Sequence, residues 1–143
     1  MQLYCYDMNK FKVILGLFIL CVGGTIYILY RSHTLLYQLS NTVMGDYLVS
    51  IRQAMGRPSD VIVYNLPGCL WSIAYILIID GLFVNLSFRT LAFISCVIPM
   101  AGVLSELLQA LHILPGHYDS VDLILYLLPY LLFIGMRMIC QTR

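Results

Sequence analysis

Apolar residues run almost unbroken through four stretches of this 143-residue chain, at 12–30, 66–84, 90–112 and 121–140. Each is close to the ~20 residues with which an α-helix crosses about 30 Å of hydrocarbon. The first carries no charge after Lys12, the second only Asp80, and the third only Glu106. The fourth is charged only toward its ends, at Asp122 and Arg137. This pattern predicts four membrane-spanning helices.

The longest polar stretch separates the first two spans, and from 34 to 56 it has a helical period. Leu35, Leu36, Leu39, Val43, Tyr47, Ile51 and Met55 recur at three- and four-residue steps, against Gln38, Asn41, Asp46, Arg52 and Gln53 on the other side. The segment reads as an amphipathic helix in the headgroup region or over the bundle mouth, or as a solvated connector. Gly56-Arg57-Pro58 ends it, because proline cannot continue the backbone ladder. Asn65-Leu66-Pro67-Gly68 then reads as a helix start, with Asn65 as N-cap and proline in the first turn. Trp71 lies near that end, at the depth where interfacial tryptophans gather. Short connections at 85–90 and around Pro115-Gly116 make consecutive spans antiparallel neighbours. The expected architecture is an all-α membrane protein in one domain. It is a bundle of four transmembrane helices plus an amphipathic interfacial helix between the first and second.

Composition strengthens this reading. The chain is 61% hydrophobic and 10% charged, with mean hydropathy +0.88, where soluble domains carry about 25% charged residues. Lys10 and Lys12 ahead of an apolar run imitate a signal peptide, but the run continues through Tyr30, too far for a signal core. An uncleaved first helix is expected. Alternate segments carry Lys10, Lys12, Arg89, Arg137 and Arg143 on one side, and Arg31, Arg52 and Arg57 on the other. Five against three favours both termini in the cytoplasm. No basic cluster exceeds two residues, which excludes an electrostatic nucleic-acid footprint. Cys5, Cys21, Cys69, Cys96 and Cys140 are scattered without a CxxC pair, so neither a zinc site nor a disulfide framework is expected. GxSxG, HExxH and Walker motifs are missing from the sequence.

The candidate chemistry is concentrated in residues 105–122, SELLQALHILPGHYDSVD. Ser95, Pro99, Gly102, Glu106 and Gln109 share one helical face, and Asp122, Tyr126, Pro129, Phe133 and Arg137 share another. A tight turn brings Glu106 and Gln109 toward Asp119 and Asp122. A charged side chain at such depth usually faces a bundle interior or a wet cavity, so the Glu106 face is expected to be the inner one. Asp119 and Asp122 stand where an N-cap and an N3 acid satisfy orphan amides. Glu106 stands near a helix C-terminus, where the macrodipole disfavours it. It is expected either to hydrogen-bond Gln109 or Tyr126 in its protonated form, or to bind a headgroup, proton or cation. His112 and His117 lack a fixed ligand spacing, so no metal or other cofactor is expected. At the opposite end, Asp80 is expected to pair with Arg137 or Arg89, lowering the desolvation cost of both charges.

Glu106-Leu107-Leu108-Gln109, a short turn, then Asp122-Leu123-Ile124 and Tyr126 resemble the VanZ-like superfamily of small bacterial membrane proteins. Gly116-His117-Tyr118-Asp119 is similar to a turn seen in some members. The likeness spans 105–135; many members have asparagine where Tyr126 stands and glycine where Pro129 stands. It implies a compact bundle of four or five helices and marks Glu106, Gln109, Asp122 and Asp119, without implying a reaction. The leading expectation is a non-enzymatic protein of the bacterial cytoplasmic membrane. Its polar cluster of Glu106, Gln109, Asp119, Asp122 and Tyr126 would recognise a lipid-linked headgroup or a partner membrane protein. The rival is a small membrane enzyme or proton-coupled transporter with Glu106 and Asp122 as an acid/base pair.

Overall fold

A computed structural model describes residues 2–31 and 35–141, the side chains of 2–8, 35–36 and 141 excepted. The side chains of Cys5, Leu35 and Leu36, the start of the amphipathic segment at 34, and Arg143 therefore lie outside the described residues. Every regular element among the described residues is helical: α1 (Gln2–Tyr30), α2 (Leu35–Met55), a π-helical turn (Val61–Asn65) continuous with α3 (Leu66–Leu82), α4 (Phe88–Ser95), α5 (Val97–Ala110) and α6 (Ser120–Gln141). Four helical stretches, at 9–30, 61–82, 88–110 and 120–140, are long and apolar enough to cross a membrane.

Interior and exterior both depart from the pattern of a soluble domain, with polar groups buried beside apolar ones and large apolar side chains outside. Asn65, Ser72, Asp80, Ser95 and Glu106 are buried, while Phe11, Ile14, Phe18, Leu131 and Leu132 point outward. Between helices in lipid, association rests on close packing rather than on the hydrophobic effect. α1 and α3 supply it with glycines. A Cβ at Gly16 would lie 2.9 Å from the Ala74 carbonyl oxygen, and one at Gly81 would lie 2.7 Å from that of Asn9. Only glycine permits such an approach. The apolar core, Ile76, Leu91 and Phe133, joins α3, α4 and α6 near the Asp80 end.

The second span starts earlier than the sequence suggests. The chain is already helical at Val61, five residues before α3, so Asn65 is inside the helix and makes no side-chain cap bond. Proline does occupy the first turn of α3. The third span is interrupted at Cys96, just ahead of Pro99, which lacks an N–H and crowds the preceding turn. Carbonyls there recruit other donors: the Tyr75 hydroxyl donates to Ile94 O at 2.9 Å and the Tyr130 hydroxyl to Ala92 O at 3.2 Å. Ser87 caps α4, its Oγ accepting from the Thr90 amide.

α2 is held by its polar side. Arg52 lies across the C-terminus of α1, where Nε donates to Leu29 O at 2.5 Å and Nη2 to Ile28 O at 3.3 Å. These carbonyls belong to the last turn of a helix, which has no intrahelical donors for them. The same guanidinium stacks 4.1 Å from the Tyr37 ring. Leu39, Val43, Tyr47 and Met55 consequently face outward. A single non-helical residue, Met44 (φ −135°, ψ 27°), kinks the helix midway.

Candidate functional site

Asn65 is the centre of the site. It is 5% exposed, and its Nδ2 donates to Asp119 Oδ2 and to Asp122 Oδ1, each at 2.8 Å. One amide nitrogen thus spends both of its hydrogens on two carboxylates from the start of α6. Sequence reading treats Asn65 only as a cap. The π-helical turn upstream and the early start of the helix instead place it on the inner face of the bundle. Its partners are 54 and 57 positions away, so no local pattern reveals them.

The capping expectation for Asp119 matches the geometry: Oδ1 accepts from the Val121 amide at 2.8 Å. These bonds, from Asn65 first and Val121 second, hold the Asp119 carboxyl below the usual carboxylate range. At the N-cap amide itself, Glu106 takes the part expected of Asp122. Its Oε2 accepts from Asp119 N at 3.1 Å. The expected Glu106–Gln109 bond is not what the structure shows. Gln109 lies against the Gly116 turn and donates to Ser105 Oγ at 3.3 Å, one helical turn back. Glu106 (5% exposed) therefore has a structural partner that helix phasing alone did not supply.

Tyr126 fills a socket made by two glycines. A Cβ at Gly68 of α3 would lie 2.7 Å from its hydroxyl oxygen, and one at Gly102 of α5 would overlap its ring. The ring is thus wedged between two helices directly beneath the carboxylates.

Above this floor lies a cavity of about 830 Å³. Gln109, Asp119, Asp122 and Tyr126 line it, and Glu106 is not among its lining residues. Arg31, Tyr27, Tyr64 and Trp71 line it as well. The Arg31 guanidinium lies 5.1 Å from the Tyr27 ring centre and 5.5 Å from that of Tyr64, a cation–π arrangement. Tyr27 and Trp71 are themselves in contact, with ring centres 5.1 Å apart. Arg31 enters the sequence reading only as a loop charge. The available signal was Tyr27, one turn earlier on the same helical face. His117 also lines the cavity, whereas His112 is an exposed turn residue with φ 56°. Among the described residues, no three His, Cys, Asp or Glu side chains converge as a metal site.

At the far end of the bundle, Asp80 is paired with Arg137 and with Lys12, the latter at 2.8 Å. Arg89 is exposed and makes no ion pair among the described residues. Lys12, read in the sequence as a flank of the first span, is one turn from Gly16 and so shares the face that meets α3.

A comparison with known protein families, with curated protein sequences and with solved structures returns no match.

Proposed function

We propose that the chain is a multi-pass protein of the bacterial cytoplasmic membrane, with both termini cytoplasmic and α2 in the headgroup layer. We propose further that its outward cavity binds the polar headgroup of a lipid-linked envelope component, without catalysing a reaction. The observation that carries this reading is the cavity of about 830 Å³ lined by the Asn65-held carboxylates and by Arg31 with its aromatic neighbours. Its volume lies in the range of small-molecule sites. Its lining combines the Arg31 cation, the carboxylates of Asp119 and Asp122, an amide at Gln109, and aromatic rings at Tyr27, Tyr64 and Trp71. The outward apolar stripe of α2 supports its position in the headgroup layer, where acyl chains cover such a face. The VanZ-like resemblance of 105–135 supports the reading, because Gln109, Asp119 and Asp122, which carry it, line this cavity.

The acid/base reading gains less support. Glu106 Oε2 accepts a backbone amide and Asp122 Oδ1 accepts from Asn65, so both groups are engaged in holding the start of α6.

Trp71 is the only tryptophan of the chain and lines the cavity, so its emission reports occupancy. In nanodiscs, titration with a short-chain polyprenyl pyrophosphate is expected to give a saturable change in emission, reduced at least tenfold in affinity by Arg31→Gln. Glu106→Gln keeps an acceptor for the Asp119 amide and is expected to bind normally. No saturable response, or one that Arg31→Gln leaves intact, refutes headgroup binding here. Loss of an envelope phenotype in Glu106→Gln with normal binding would establish the acid/base alternative instead.

A further inference from the structure

Two cations share one carboxylate at the end of the bundle remote from the cavity. Lys12 comes from α1, Asp80 from α3 and Arg137 from α6, and Asp80 is 6% exposed. One carboxylate balances one cation, which leaves the triad with an excess charge of +1. The two cationic side chains are 29% and 36% exposed, among apolar neighbours. Among the described residues no second carboxylate is paired with either cation, and an uncompensated charge in such surroundings is costly and calls for a counter-charge.

The structure has room for one. Lys12, Asp80 and Arg137 line a cavity of about 250 Å³ whose remaining walls are Phe133, Met136 and Cys140. The Arg137 guanidinium lies 5.9 Å from the Phe133 ring centre. One of its terminal nitrogens reaches Asp80, and the planar fork carries further N–H groups spaced to match two oxygens of one anion. Lys12 adds a second point charge beside it.

A second cavity, about 290 Å³, shares Phe133 and Met136 as walls with the first. It follows the seam between α3 and α6, past Ile73, Leu77, Leu128 and Leu132. The helix from Met136 back to Leu128 measures about 12 Å at 1.5 Å per residue. A cationic mouth therefore opens onto an apolar groove of chain-like length. Neither half alone specifies a lipid, since a free anion would satisfy the first and any acyl chain the second. Joined, they match one amphiphile.

We propose that this end of the bundle is a binding site for a bilayer lipid with an anionic phosphate headgroup. Its phosphate lies between Lys12 and Arg137, and one acyl chain lies in the α3–α6 groove. The site is separate from the cavity at the other end and does not depend on what that cavity binds. The Lys and Arg count of the sequence favours a cytoplasmic position for this end, where anionic lipids give the membrane its negative surface potential.

Native mass spectrometry of the full chain in a neutral detergent tests the assignment. Phosphatidylglycerol and phosphatidylcholine with identical acyl chains are offered together. Retention of phosphatidylglycerol at least tenfold over phosphatidylcholine is expected, falling below threefold in Lys12→Gln and in Arg137→Gln. Arg137→Lys keeps the charge and most of the preference, which separates loss of the site from loss of the fold. Leu132→Trp fills the groove from its exposed side and is expected to weaken phosphatidylglycerol retention at least fivefold with the triad intact. Equal retention of the two lipids, or a preference unchanged in both glutamine variants, overturns the site. A thermal stabilisation by inorganic phosphate equal to that by phosphatidylglycerol overturns the lipid assignment in favour of a free-anion site. Oleate retained as well as phosphatidylglycerol overturns the phosphate.

Discussion

Asn65→Asp changes the shape of the site almost not at all and reverses its electrostatics. The Nδ2 that donates to Asp119 and Asp122 becomes an oxygen facing two carboxylate oxygens at 2.8 Å. Loss of the bond to Asp122 alone removes a charge-assisted hydrogen bond of about 1.5–3 kcal/mol. A second like charge about 4 Å away adds repulsion of roughly 4 kcal/mol at an effective dielectric of 20. Asn65→Leu serves as the comparator, since it loses the bonds without adding charge. At about 2–4 °C per kcal/mol, Asn65→Leu is expected to melt roughly 3–12 °C below wild type, and Asn65→Asp lower still at pH 8. The pH dependence carries more information than the size of the effect. In the wild type, Asp119 has a folded pKa held below its unfolded value. Its contribution is therefore present above the unfolded value of about 4 and is lost as pH falls through the lower folded value. In Asn65→Asp a proton shared among the acids restores a donor, so stability should rise as pH is lowered from 8 to 5. Over that window the wild type is expected to stay level as far as Asp119 is concerned, because both of its pKa values lie below it, while Asn65→Asp gains stability. Thermal unfolding in detergent at five pH values between 8 and 4 measures both responses. An Asn65→Asp protein that melts within about 1 °C of wild type at pH 8, or gains no stability as pH falls from 8 to 5, refutes the clamp.

Three other outcomes test the remaining contacts. Gly102→Ala drives a methyl into the Tyr126 ring and is expected to destabilise by about 1–3 kcal/mol, with partial recovery in Gly102→Ala/Tyr126→Leu; additive losses in the same melts would disprove the socket. Tyr75→Phe and Tyr130→Phe each leave a carbonyl near Cys96 without its hydroxyl donor, at a cost of about 0.5–1 kcal/mol apiece, measured by reversible unfolding. Arg52→Ala removes the donors that tie α2 to Leu29 and Ile28; amide exchange over 37–55 should accelerate at least tenfold while α3 is unchanged, and equal exchange in both proteins would contradict that tether.

The sequence made the helices and their inner faces legible, because each span repeats one kind of residue at a helical period. Glu106, Pro99 and Ser95 are all buried where their shared phase puts them. What remained hidden depends on partners far along the chain. Asn65 beside Pro67 has the local signature of a cap, and nothing nearby reveals that the helix already starts at Val61. The amide donor that satisfies Glu106, and the seat of Gln109 against Gly116, depend on the path of the 111–119 turn, in which Gly116 adopts φ 143°. The period of α2 identified an apolar face without its direction. In a lipid solvent that face points away from the protein, and Arg52 on the other side makes the attachment. Lys12 could have been found, since it shares a face with Gly16 and Gly23, both of which pack closely on α3.

The clamp around Asn65 also imposes an order on synthesis. Asn65 and Glu106 are both made before the segment 119–122 that contains their partners. At about 5–20 residues per second, Asn65 waits roughly 3–10 s for Asp119 to emerge. During that interval Asn65, followed only later by Glu106, sits on an otherwise apolar helix without the groups that later satisfy it, at a cost that hydrocarbon, in the proposed membrane setting, does not relieve. Insertion of α6 ends this exposure in one step, by bringing two carboxylates to Asn65 and a backbone amide to Glu106. In the proposed membrane setting, a chain stalled before α6 would therefore expose unsatisfied polar groups that mark it as unfinished, and one completed through Gln141 would not.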